Sequence, residues 1–158
     1  MLGGVSMIAA CGSSDPRFLT YRGPDVTSVL VYKGQRKMQL MHNNTMLKSY
    51  RFELGFAPTG HKRIEGDGRT PEGQYWIDRR NPNSRFHLSL GISYPNANDR
   101  AVAQSMGMPP GGDIFIHGTP DRYRGQDDWT WGCIAVSNRE IEEIYSMVRD
   151  GTPIYIWA

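Results

Sequence analysis

Cysteine is scarce in this chain of 158 residues: only Cys11 and Cys133 are present. At most one disulfide is therefore available, and a cysteine-stapled scaffold is excluded. Lysine is scarce too, four against fourteen arginines, and the formal net charge is only +2. So weak a bias gives no reason to expect a nucleic-acid partner or a charged membrane surface. No apolar run in the body of the chain is long enough to span a bilayer. Neither Cys-x-x-Cys nor His-Glu-x-x-His occurs, so no metal is expected, and no cofactor-binding motif is evident.

What is there describes a folded protein. Hydrophobic residues make up 39% and charged residues 22% of the chain, the balance of a soluble globular domain. The length suits one domain with a sizeable core. Its start is different in kind. Met1 to Ala10 is small and apolar, and Gly12-Ser13-Ser14-Asp15 is abruptly polar. This looks like the remnant of an export signal. Ile8-Ala9-Ala10-Cys11 resembles a bacterial lipobox, which would make Cys11 a lipidation site, although no Lys or Arg precedes the run. Residues 1–15 are accordingly set apart as a stub, and residues 16–158 as one domain.

Strand signals dominate the first half. Ser28–Tyr32 is apolar and β-branched, Lys33–Arg36 reads as a turn, and Lys37–His42 alternates. Tyr50, Phe52, Leu54 and Phe56 alternate cleanly, which predicts a half-buried strand with all four on one face. Ala57–Gly73 is rich in glycine and proline and reads as a long functional loop. Gln74–Ile77 and Phe86–Leu90 resume strand character, the latter with His87 and Ser89 opposite the apolar face. A short helix is expected over Asn98–Met106. A firm one is expected over 138–149, where Ser137 and Glu140 form a capping box and Ile141, Ile144, Tyr145 and Val148 recur at helical spacing. Pro153–Trp157 closes the chain as a strand. The fold class is mainly β, with one well-marked helix.

Two runs carry chemistry. Ile114-Phe115-Ile116-His117-Gly118 places a histidine at the end of an apolar stretch; Trp131-Gly132-Cys133-Ile134 places a thiol sixteen positions later, at the start of another. A thiol is a useful nucleophile at neutral pH only if a neighbour takes its proton or stabilises the thiolate, and an imidazole does both. Cys133 is therefore read as nucleophile and His117 as base, with a buried core thiol as the plain alternative. Such a pair is expected to sit in hydrogen-bond reach and to form a thiolate–imidazolium at neutral pH. The turn at Gly132 exposes backbone amides, so Gly132 and Cys133 are candidate oxyanion donors. His87, alone of the other three histidines, is placed beside the cleft. All four histidines precede Cys133, the reverse of papain-like and NlpC-like hydrolases.

These residues resemble the signature of the L,D-transpeptidase catalytic-domain (YkuD) family. His117-Gly118-Thr119 is followed by Thr130-x-Gly132-Cys133, the Gly66–Gly73 loop resembles the family's glycine-proline loop, and Gly151–Ile156 resembles its last strand. Asn81–Leu90 and Tyr94-Pro95-Asn96 are similar to the YafK branch. Two positions depart from the family pattern: Thr130 and Trp131 stand where Ser-His is common, and Ala135 stands where an arginine is common. Without that arginine, Arg85, Arg122 and Arg124 are the alternatives for holding a substrate carboxylate.

The resemblance implies a β-sandwich-like fold and a bacterial peptidoglycan substrate. It implies Cys133 attacking the L-centre carbonyl of meso-diaminopimelate to form a thioester, with His117 handling the proton. Gly118, Thr130, Trp131, His87 and Arg85 become candidate substrate contacts, in a cleft expected near Trp129, Trp131 and the Gly66–Gly73 loop. An amine acceptor would give a cross-link, water a trimmed peptide; a wall-attached lipoprotein is a further partner the YafK branch allows. The expected location is the periplasm or cell envelope, with a membrane reached only through a lipid on Cys11. Two rival readings stand beside this: a non-catalytic peptidoglycan-binding lipoprotein, and a cysteine hydrolase of unrelated substrate.

Overall fold

The computed structural model describes residues 14–158. Cys11 and most of the stub set apart above lie outside those residues. Eight strands form one sheet in the order β3-β2-β1-β8-β4-β5-β6-β7. In chain order these are β1 (Ser28–Tyr32), β2 (Lys37–His42), β3 (Thr45–Arg51), β4 (Gly73–Asn81), β5 (Ser89–Ile92), β6 (Phe115–His117), β7 (Ile134–Ala135) and β8 (Pro153–Trp157). Helix α1 (Ala97–Ser105) lies between β5 and β6, and α2 (Asn138–Met147) between β7 and β8. The mainly β, sandwich-like architecture expected from the sequence is present.

β1, β2 and β8 follow the alternation that predicts them. Val29, Val31, Met38, Leu40, Ile154 and Ile156 all face the core. β8 returns from the chain terminus to pair parallel with β1 and antiparallel with β4, which joins the two halves of the sheet. β3 is an edge strand with mostly exposed side chains, so it carries no apolar alternation to read.

The strand expected through Phe56 is cut short. Regular pairing stops at Arg51, and beyond it only Glu53 and Gly55 bridge, to Ala135 and Thr130. Tyr50, Phe52 and Leu54 are buried, whereas Phe56 is 53% exposed and meets Trp131 edge-on. The expectation for Phe86–Leu90 also needs correcting. His87 sits at φ 75°, which breaks an extended run, and β5 starts only at Ser89 with all four residues buried. β5 lies between β4 and β6, and α2 packs against β5 and β6.

Both helices begin where side-chain caps dictate. Asn96 and Asp99 form a capping box for α1, Ser137 and Glu140 one for α2. α2 stops at Met147, two residues before the expected end, with Val148 extended. The Arg80 guanidinium donates to the carbonyls of Tyr145 and Val148, satisfying acceptors that another turn would otherwise have used. No helix among the described residues is long and apolar enough to cross a membrane.

Candidate active site

β6 and β7 run parallel, with Ile116 beside Ile134 and His117 beside Ala135. Continuing that register sets Cys133 beside Phe115, and side chains two apart on a strand share a face. Cys133 and His117 are thus diagonal neighbours on one face of adjacent strands. Both line a cavity of about 390 Å³, closed on one side by the β4–β5 connection at Asn81, Asn83, Ser84, Arg85 and Phe86.

His117 is held tightly. Its ring is buried, and Nδ1 lies 2.7 Å from the carbonyl of Gly118. A carbonyl only accepts, so Nδ1 carries the proton and Nε2 keeps a free lone pair. Phe86 stacks on the ring at 4.4 Å and Trp129 leans on it at 5.6 Å. Gly118 fits because it lacks a side chain: a Cβ there would meet the Asn138 Oδ1 at 2.5 Å and the Phe86 carbonyl at 2.9 Å. Burial lowers the imidazole pKa to about 4, with the Gly118 carbonyl opposing only in part.

Cys133 is half-buried and free. Its thiol donates to the carbonyl of Asp113 at 3.5 Å and accepts from the Phe115 amide. Among the described residues no hydrogen bond joins the sulfur to His117. Removal from water raises the thiol pKa to about 11, the Phe115 amide only partly offsetting it. The expected resting thiolate–imidazolium is therefore corrected. Desolvation penalises both charged forms, and the pair rests as neutral thiol and neutral imidazole.

The turn that presents the thiol is pinned from several sides. Thr130 donates to the Cys133 carbonyl at 2.8 Å and accepts from the Gly132 amide at 3.2 Å, while Thr70 donates to the Gly132 carbonyl at 2.7 Å. Of the two amides expected as oxyanion donors, Gly132's is thus engaged by Thr130. Among the described residues the Cys133 amide has no acceptor.

Several candidate substrate contacts fall elsewhere. Thr130 is buried and holds the turn; Gly118 holds His117. Trp131 is 72% exposed and packs on Phe56 rather than walling the thiol cavity. The His87 ring meets Glu142 of α2 at 2.6 Å, and the cavity does not include it. The Gly66–Gly73 loop supports the turn through Thr70 but does not line the cavity either. Arg85 alone of the three alternative arginines lines it; Arg124 pairs with Asp121, and Arg122 lies over Tyr123.

Three contributors escaped sequence reading. Phe86 stacks on the imidazole, the Asp113 carbonyl accepts a hydrogen bond from the thiol, and Asn138 accepts from the Thr119 amide at 2.9 Å. Only Asp113 carried a local signal, the Gly111-Gly112 pair that precedes it. A larger groove of about 940 Å³, bordered by Trp129, Thr119 and Glu142, includes neither Cys133 nor His117. The smaller cavity is the one lined by both Cys133 and His117.

Residues 27–156 match the YkuD L,D-transpeptidase catalytic domain. The chain is 30% identical over 126 residues to a protein of Escherichia coli K12 named "Putative L,D-transpeptidase YafK", a match covering 76% of this chain and 46% of that one. The helical cell shape determining protein Pgp2 of Campylobacter jejuni superposes with a TM-score of 0.66 at 27% identity, over 91% of this chain and 51% of that one. An L,D-transpeptidase from Mycobacterium smegmatis shares the fold, with a TM-score of 0.57 at 14% identity, over 84% of this chain and 59% of that one. The chain therefore spans about half the length of the YafK and Pgp2 proteins it matches. With 130 of its 158 residues inside the matched region, it belongs to the YkuD L,D-transpeptidase catalytic-domain family.

Proposed function

We propose that this domain is a cysteine acyltransferase acting on peptidoglycan stem peptides. The carrying observation is that a free thiol and an imidazole with an open Nε2 share one cavity and one face of adjacent parallel strands. The Cys133 sulfur attacks the carbonyl at the L-centre of meso-diaminopimelate, and its proton passes to His117 Nε2 as the S–C bond forms. The Cys133 amide donates to the developing oxyanion; one such donor is typically worth about 3 kcal/mol of barrier. As the tetrahedral species collapses, His117 returns the proton to the departing amine, leaving a thioester. An amine acceptor then yields a cross-link, water a trimmed stem, and a lipoprotein's wall linkage is a third substrate of the same chemistry.

The neutral resting pair supports concerted proton transfer rather than a preformed thiolate. It also favours one rival reading, a non-catalytic peptidoglycan-binding protein, because the thiol has no hydrogen bond to its base among the described residues. Incubating purified muropeptides with the protein and with Cys133→Ala, followed by mass spectrometry, separates the two. Product formed only by the unaltered protein is expected. Binding without product, equal in both, would establish the binding module instead. The substrate belongs to the envelope, so we place the protein there, with residues 16–158 as the catalytic domain and Cys11 as a lipid attachment point. Extraction of labelled palmitate with the chain, lost in Cys11→Ser, tests the anchor.

A further inference from the structure

Two exposed charged residues of opposite sign, Arg85 and Asp113, line the thiol cavity. Arg85 is exposed and has no ion-pair partner among the described residues. Asp113 has a left-handed backbone, φ 53°, which aspartate tolerates better than most residues. Its carbonyl turns to the Cys133 sulfur at 3.5 Å, while its carboxylate stands 94% exposed. The nearest cation to that carboxylate is Arg79, at 3.8 Å. Arg79 is held elsewhere, on Asp78 at 2.7 Å and over the Phe115 ring at 4.6 Å. An exposed pair this long contributes little, so the Asp113 charge is available to a ligand. The lining also includes the uncharged polar residues Asn81, Asn83 and Ser84.

A lone carboxylate would use Arg85 and be repelled by Asp113; a lone ammonium would meet the reverse. A group bearing both charges on one carbon satisfies both and leaves neither protein charge unanswered. We infer that Arg85 and Asp113 read the α-amino-acid head of a substrate side chain: Arg85 the carboxylate, two-pronged, and Asp113 the ammonium. This rests on the proposed function and deepens it, because meso-diaminopimelate ends in such a head at its D-centre. Asp113 contacts the thiol through its main chain and the substrate through its side chain, so recognition of the head places the reacting carbonyl relative to the sulfur. Stem peptides with lysine in place of diaminopimelate, or with the head amidated, lose one of the two contacts.

The test reads binding apart from turnover. Titration calorimetry on Cys133→Ala measures affinity for four tetrapeptides: diaminopimelate, its side-chain amide, its side-chain N-acetyl derivative, and lysine. The diaminopimelate peptide should bind about tenfold tighter than each of the other three. Adding Arg85→Gln should weaken the diaminopimelate peptide about tenfold and abolish its advantage over the amide and lysine peptides. Adding Asp113→Asn, which keeps the left-handed backbone, should abolish its advantage over the N-acetyl peptide. Equal affinity for all four, or equal losses for all four in either variant, overturns the inference. Selective binding with no turnover by the unaltered protein would instead overturn the proposed reaction and leave the recognition standing.

Discussion

Arg36 and Asp128 form a two-pronged ion pair that ties the β1–β2 turn to the segment five residues before Cys133; its second prong, Nη2 to Oδ2, measures 2.7 Å. Both side chains are about three-quarters buried. Asp128 also accepts from the Leu54 amide at 3.2 Å, and its own amide donates to Glu53 at 3.1 Å. The bridge therefore fixes the start of the turn that Thr130 completes.

Removing one side of this bridge leaves the other charge part-buried without its partner. Arg36→Gln is expected to lower stability by about 1–3 kcal/mol, measured by urea unfolding. The Arg36 guanidinium holds the Asp128 carboxyl below its ordinary value. A depressed carboxyl stabilises the fold above its unfolded pKa of about 3.9 and loses that contribution as pH falls through the folded value. The loss caused by Arg36→Gln should accordingly be large at pH 6 and shrink below pH 3. A cost independent of pH would assign the bridge a packing role only.

The turn that carries Cys133 makes a sharper case. Gly132 has φ 120°, and a Cβ there would lie 2.5 Å from the Arg69 carbonyl oxygen. That oxygen is main chain and cannot rotate away. Gly132→Ala should cost several kcal/mol, about 2 or more, and lower the melting temperature. Thr130→Val keeps the shape of the side chain but removes the hydroxyl between the Gly132 amide and the Cys133 carbonyl. It should leave the protein folded by circular dichroism and reduce turnover more than substrate affinity. Unchanged turnover in Thr130→Val would show that the turn holds without its hydroxyl.

How far the chain could be read in advance follows from where each signal resides. β1, β2 and β8 announce themselves because each buries alternate residues against the core. α2 does so through its cap and apolar spacing. β3 lies at an edge and β7 is two residues long, so neither leaves a pattern. His117 and Cys133 stand out in the sequence because few residue types can serve as base and nucleophile. Their surroundings do not. Phe86, Asp113 and Asn138 act through positions set by distant pairing, and nothing local to His87 shows that Glu142, 55 residues away, draws its ring off the cleft. The protonation state is hidden for the same reason: a pKa depends on burial, which spacing alone does not reveal.

Burial of His117 makes a prediction about acid stability. Its folded pKa of about 4 lies below the ordinary 6.5, so the unfolded chain binds the proton more readily. Stability then falls as pH drops from about 6.5 to 4, by roughly 3 kcal/mol for this group, at about 1.4 kcal/mol per unit. His117→Gln removes that titration. Urea midpoints at pH 7 and pH 4.5 should separate more for the unaltered protein than for His117→Gln. Equal separations would mean that the imidazole is solvated in solution.

The thiol offers the most direct view of the resting site. With its pKa raised to about 11, the nucleophilic thiolate fraction grows about tenfold per pH unit through pH 8 to 10. Alkylation of Cys133 by uncharged iodoacetamide, followed by peptide mass mapping to separate it from Cys11, should climb steadily over that interval. An ordinary thiol levels off near 8.5, and a thiol ionised by its histidine levels off well below it. Turnover should behave differently, because His117 needs only to be neutral to accept the proton during attack. Its acid limb in kcat/KM is expected near pH 4, far from the alkylation limb. Two limbs separated by several pH units identify proton transfer concerted with attack. A shared plateau below pH 8 would instead show that the ion pair forms in solution and that the sulfur swings toward the imidazole before substrate arrives.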